Sequence, residues 1–137
     1  TTFTGNVVVT KGRLLIKAGN AVFVEDPEGY QFITLYAAPG KLASLRQKQD
    51  SGPDTWLEGY GEKIEYDNKN EIAKFFTRAR VKRLQGSKVT DDVTGEYISY
   101  NAKTEYYNVY NTSEGVSKPG AGRVKAVIQP REKKSNK

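Results

Sequence analysis

Gly61-Glu62-Lys63-Ile64-Glu65-Tyr66 returns as Gly95-Glu96-Tyr97-Ile98-Ser99-Tyr100, and in a weaker form as Ala18-Gly19-Asn20-Ala21-Val22-Phe23. Each copy opens on a small residue and then sets an aliphatic residue and an aromatic one two apart. Side chains two apart project from the same face of a strand. One face is thus rebuilt along the chain, and short β units that repeat in this way stack to share an apolar interior. The copies also continue alike. Asp67-Asn68-Lys69-Asn70-Glu71 follows Tyr66, and Asn101-Ala102-Lys103-Thr104-Glu105 follows Tyr100, with Asx, Lys and Glu at equal offsets. An Asx side chain bonds its own backbone to start a turn. The chain is therefore predicted to return as a hairpin, carrying Ala73 and Phe75 in one copy and Tyr107 and Val109 in the other.

A further echo sets Phe3-Thr4-Gly5-Asn6-Val7-Val8-Val9 against Phe75-Phe76-Thr77-Arg78-Ala79-Arg80-Val81. Arg80 stands where Val8 does. An exposed Arg there turns Ala79 and Val81 inward, and Val7 and Val9 with them. Outward from these units the same signal persists. Residues 3–10, 13–17, 21–25, 30–37, 41–47, 55–60, 63–66, 71–84, 88–94, 96–100, 105–110 and 123–129 read as short strands. Turn residues punctuate them, among them Lys11-Gly12, Asp26-Pro27-Glu28-Gly29, Pro39-Gly40, Asp50-Ser51-Gly52-Pro53 and Gln85-Gly86. Many short strands joined by tight turns predict an all-β sandwich, jellyroll or barrel. Residues 112–122 are rich in Ser, Gly and Pro and read as a loop. Residues 131–137 lack apolar side chains and read as a disordered basic tail.

At 137 residues the chain is one domain by length, with 36% hydrophobic and 28% charged residues. No stretch approaches the roughly 18 consecutive apolar residues of a membrane helix. The opening Thr1-Thr2-Phe3 already falls in a strand pattern, as expected of a mature or trimmed product. Cys and His are both absent, which excludes the usual zinc sites, thiol nucleophiles and imidazole catalysis. The net charge of +6 suits an anionic partner or neighbourhood, or simply a solubilising surface. Inward candidates mix aromatics with small residues (Ala18, Ala21, Gly61, Ala73, Ala79, Gly95). A dry core is normally richer in Leu, Ile and Val, so the interior is expected to leave room for an apolar ligand.

Several segments together resemble the LptA/OstA family. They are Phe3 to Gly12 with Leu14-Leu15-Ile16-Lys17-Ala18, then Gly59-Tyr60-Gly61-Glu62-Lys63-Ile64-Glu65-Tyr66, then Gly95 to Tyr100, and the closing Gly122-Arg123-Val124-Lys125-Ala126-Val127-Ile128-Gln129-Pro130. The resemblance runs from Phe3 to Pro130. It departs from the family pattern at Gly19, where an acid is expected, and at Thr77-Arg78, where the first echo has Gly5-Asn6. The family also carries a strand pair before the Phe3 segment that this chain lacks. The resemblance implies an open, slightly twisted antiparallel β-jellyroll over residues 1–130. It implies a periplasmic, non-enzymatic carrier of lipopolysaccharide without a cofactor. Such a carrier would join end to end with its own copies and with LptC-like and LptD-like jellyrolls at the two membranes.

On that reading, Val7, Val9, Leu14, Ile16, Phe23, Leu45, Ile64, Tyr66, Phe75, Val81, Ile98, Tyr100, Tyr107 and Val109 line a groove for acyl chains. Arg46, Arg78, Arg80, Lys82 and Arg83 are candidate phosphate contacts at its lip, or else a solvated face. Val124, Lys125, Ala126, Val127 and Ile128 form the downstream oligomer edge. The competing reading is a nucleic-acid-binding β-barrel, supported by the net charge, nine Tyr and the run Arg78-Ala79-Arg80-Val81-Lys82-Arg83. The inward phase of the aromatics and the absence of an RNP-type motif argue against nucleic acid. A carboxylate enzyme using Glu62 with Glu65, or Asp91 with Asp92, is the third possibility. Asp91-Asp92 reads more simply as a turn.

Overall fold

Alternation of inward apolar and outward polar side chains builds ten strands in a computed structural model that describes residues 1–49, 54–112, 119 and 122–128. They are β1 (Thr2–Lys11), β2 (Leu14–Glu25), β3 (Gln31–Tyr36), β4 (Ala43–Lys48), β5 (Thr55–Gly61), β6 (Lys63–Asp67), β7 (Ile72–Gln85), β8 (Lys88–Asn101), β9 (Tyr106–Tyr110) and β10 (Lys125–Ile128). All pairings are antiparallel. The expected turn at 50–53, residues 113–118 of the expected loop and the tail at 131–137 lie outside the described residues.

Two of the expected breaks are absent. The expected strands at 13–17, from residue 14 on, and 21–25 belong to one strand, β2, and those at 88–94 and 96–100 to another, β8. At both places the strand bends without ending, because its residues there are small. A Cβ on Gly19 would lie 2.7 Å from the Ala38 nitrogen, and one on Gly95 would lie 2.8 Å from Val109 Cγ1. Only glycine lets the neighbouring chain come this close.

These bends fold the sheet into two facing layers. The first half of β2 pairs with β4 and its second half with β3. The second half of β7 pairs with β5 and its first half with β6. One layer runs β1–β2–β4–β5–β7–β8–β10, and the other runs β1–β2–β3–β6–β7–β8–β9. The corner between the layers holds two bulges, after Thr4 in β1 and after Phe76 in β7. Gly5 and Asn6 have φ of 81° and 52°, and Thr77 and Arg78 have φ of 62° and 53°. The echo seen in the sequence is thus one bulge shape used twice. A β-branched Thr77 held at positive φ is strained. All three copies of the repeat start at this corner and run into the second layer.

The hairpin turns fold as their Asx residues dictate. Asp67 Oδ1 accepts hydrogen bonds from the backbone N–H of Lys69 (2.8 Å) and Asn70 (3.1 Å). Asn101 Oδ1 accepts from Lys103 (2.9 Å) and Thr104 (3.2 Å). Glu71 and Glu105, at the same offset, each close the turn at positive φ.

Candidate functional site

Register places the inward side chains in rows that cross every strand of a layer. In the first layer one row is Val9, Ile16, Leu45, Gly59, Val81, Val93 and Ala126. In the second, one row is Ala21, Leu35, Ile64, Phe75, Ile98 and Val109, and the next is Phe23, Ile33, Tyr66, Ala73, Tyr100 and Tyr107. The two sets face each other and, up to the exposed Ala126, form one apolar cluster. All fourteen residues expected to line the interior are in that cluster or packed against it. The sequence reading missed Ile33, Leu35, Ala43, Leu57 and Val93. Each stands two residues from another inward position of its strand or at the head of one, so strict alternation would have found them.

The expectation of a roomy interior needs correction. Ile16, Leu35, Ala43, Ile64, Phe75, Val81, Val93 and Ile98 are all fully buried. The Phe75 ring crosses from the second layer and covers Gly59 in the first. The small residues near the corner, Gly61 and Gly95, serve close approach of the neighbouring chain and do not open the interior. Room remains instead at the side opposite the corner, where the strand ends of the two layers face each other. A cleft of about 360 Å³ lies there between Gln47, Lys48, Gln49, Tyr66, Glu71, Lys103 and Glu105. A second, of about 260 Å³, lies beside Lys11, Leu14, Gln31, Gln47, Tyr66 and Asn68.

This mouth is polar, and its polar groups pair across the two layers. Lys11 Nζ of β1 donates to Gln31 Oε1 of β3. Gln47 Nε2 of β4 donates to Tyr66 Oη of β6 at 3.0 Å. The Arg83 guanidinium of β7 pairs with Glu105, just ahead of β9. Tyr107 Oη of β9 donates to Asp91 Oδ2 of β8 at 3.1 Å. Burial raises the Tyr66 phenol above its ordinary value although the Gln47 hydrogen bond opposes it. Burial, followed by the negative charge of Asp91, raises Tyr107 far above its own. Both phenols therefore stay protonated at neutral pH.

The basic candidates divide. Arg46, Arg78, Arg80 and Lys82 lie on outer faces, away from the mouth. Arg46 stacks 4.6 Å over Trp56 and pairs with Glu58 at 3.8 Å. Arg78 pairs with Glu62 at 3.0 Å. Arg80 holds Asp92 through two hydrogen bonds of 2.9 and 2.6 Å, which lower the Asp92 carboxyl below its usual value. Lys82 sits 5.9 Å from the Tyr60 ring. Arg83 alone of the five faces inward and is buried. It follows Ala79 and Val81 in the inward phase of β7, which the reading of 78–83 as one basic run had hidden. Lys11, in phase with Val7 and Val9, is an exposed cation at the mouth that the reading missed.

The aromatics also divide. Tyr66, Tyr100 and Tyr107 face inward. Phe76, Tyr97 and Tyr110 instead form an edge-to-face ladder on the outer side of the second layer, at 4.7 and 5.4 Å. Trp56 and Tyr60 lie beside basic residues after all, each with a cation against its ring. At the ends of the layers, β1 pairs only with β2, and β9 and β10 only with β8, among the described residues. Lys125–Ile128 is exposed throughout, and Val124, just before it, is exposed too.

Known proteins share this arrangement. The family described as LptA/(LptD N-terminal domain) LPS transport protein matches residues 1–106. The lipopolysaccharide export system protein LptA of Haemophilus influenzae is 28% identical over 129 residues, 94% of this chain and 67% of that protein. LptA of Escherichia coli is 32% identical over 110 residues, 80% of this chain and 55% of that protein. The chain therefore spans between about half and two thirds of the length of these relatives. The crystal structure of LptH, the LptA-homologous periplasmic component of the lipopolysaccharide transport device of Pseudomonas aeruginosa, superposes with a TM-score of 0.72 at 25% identity. It covers 94% of this chain and 83% of LptH. With its antiparallel two-layer jellyroll and this match over most of its length, the chain belongs to the LptA family of lipopolysaccharide transport proteins.

Proposed function

We propose that the chain is a periplasmic carrier whose apolar interior receives the acyl chains of lipopolysaccharide and passes them toward the outer membrane within a head-to-tail bridge. The observation that carries this reading is the set of apolar rows crossing every strand from β1 to β10, bordered along one side by a polar mouth. Each methylene moved out of water is worth roughly 0.8 kcal/mol, so several acyl chains cannot cross an aqueous space uncovered. Rows that run from one end of the molecule to the other offer that cover continuously. The sugar and its phosphates remain at the mouth, where polar groups and water meet them. Because the interior is filled by its own side chains, acyl chains enter only as the two layers part. The corner bulges at Gly5-Asn6 and Thr77-Arg78 are where the angle between the layers can change.

Neighbouring copies, and the LptC-like and LptD-like jellyrolls of the two membranes, extend the rows by pairing at the exposed end strands. No bond is made or broken in this role, and directional flow draws its energy from elsewhere. Site-specific photo-crosslinking to lipopolysaccharide tests the reading. A photoreactive residue at Leu45 or Tyr66 is expected to label, and one at the outward Ser99 is not. Equal labelling at all three positions would rule out an interior path.

A further inference from the structure

The four pairs across the mouth are not alike. Three involve a neutral partner, but Arg83 and Glu105 are both charged, and the Arg83 side chain is only 7% exposed against 37% for Glu105. Asp91, its register partner on β8, is fully buried beside it. Buried charge of this kind is a poor source of stability, because desolvation offsets most of the attraction. An apolar side chain would close the row beyond Val81 at less cost. What Arg83 does supply is a planar fork of donors that fits a phosphate as well as it fits a carboxylate. Glu105 holds that fork from the solvent side. It stands at positive φ in the turn ahead of β9 and borders the 360 Å³ cleft, which Lys48 and Lys103 also line.

We infer that Arg83 is a phosphate-binding residue of the mouth, with Glu105 as an internal stand-in that a sugar phosphate displaces. The inference rests on the carrier reading above and adds a recognition element to it. The chemical class is a phosphate monoester on an acylated sugar, whose chains enter the rows behind Arg83 while the phosphate takes the place of Glu105. The exchange also cuts one of the four ties between the layers, so head-group recognition and opening of the mouth become one event. Lys48 and Lys103 attract the phosphate into the cleft, and Asp91, held by Tyr107, keeps the guanidinium aimed at it.

The test compares two probes on the full chain by fluorescent-lipid displacement: a bis-phosphorylated acylated glucosamine disaccharide and the same lipid with its phosphates removed. The native chain is expected to prefer the phosphorylated lipid roughly tenfold or more, as suits a hydrogen-bonded charge pair. Glu105→Gln removes the competing carboxylate and raises that ratio severalfold. Arg83→Gln combined with Glu105→Gln brings it close to one while binding of the dephosphorylated lipid persists. An unchanged ratio in the double variant, or a fall in Glu105→Gln, overturns the assignment. Should the double variant fail to fold, the direction of change in Glu105→Gln decides alone. Equal binding of both lipids by the native chain overturns the Arg83 site and leaves the carrier reading standing, whereas binding of neither overturns both.

Discussion

Gly59 shows how one position can set the distance between two layers. It interrupts an aliphatic row, between Leu45 and Val81, and the Phe75 ring from the opposite layer fills the gap. An ideal Cβ at Gly59 would lie 2.0 Å from Phe75 Cε1. Backbone entropy alone would make Gly59→Ala stabilising by about 0.4–1 kcal/mol. Overpacking reverses the sign, and the substitution is expected to cost about 1–3 kcal/mol, read from the urea midpoint. Adding Phe75→Leu removes the ring and should restore much of the loss. A Gly59→Ala chain as stable as the native one would show that the ring does not rest there. Nothing local in the sequence announces this contact, because Gly59 and Phe75 meet only across the layers. Arg83 is the opposite case. The period of two along Ala79, Val81 and Arg83 put it inside from the start, and its charge led to the outward reading.

At the scale of elements, the sequence was most legible where an element is closed by its own residues. The two Asx turns fold as read, down to the acceptor atom, since every partner lies within three residues. The strand count was less legible. Whether a strand ends at Gly95 or bends there depends on what lies across from it, and Val109 and the Tyr110 carbonyl are distant in sequence. The Asp67 turn also carries a pH dependence. Burial pushes its carboxyl up, but hydrogen bonds from Asn70 and Lys69 outweigh that and hold it below its usual value. A lowered folded value means the carboxylate form stabilises the fold above the unfolded value near pH 4. That contribution is lost as pH falls through the lowered folded value. Asp67→Asn keeps the acceptor, as Asn101 does in the other copy, and removes only the charge. It is expected to cost less than about 1 kcal/mol at pH 7 and less still at pH 3. Urea midpoints at the two pH values check this, and an equal cost at both would show that charge plays no part in the turn.

For the whole molecule, the decisive feature is that, among the described residues, the apolar rows reach an exposed strand whose side chains still continue them. Ala126 and Ile128 continue the inward phase of Val93 and Asp91 onto β10, yet Ile128 remains 53% exposed. An exposed edge strand with apolar residues invites another strand, and pairing β10 of one copy with β1 of the next would be strand addition. The two surfaces differ, so such a contact would not close on itself and would grow into open filaments. Each copy carries a net charge of +6, so like-charge repulsion opposes growth and added salt should favour it. Sedimentation velocity is expected to show a coefficient that rises with concentration, more steeply at high salt. Ala126→Lys with Ile128→Lys places two charges in the rows at the contact, and this variant should stay monomeric. Its thermal midpoint should hardly move, since both residues are exposed in the single molecule. A native chain with both ends intact that is monomeric at every accessible concentration would exclude end-to-end growth through β10. A lysine variant that associates as readily as the native chain would place the contact on another strand, and the edge left by β9 beside Tyr97 and Tyr110 would then be the surface to charge next.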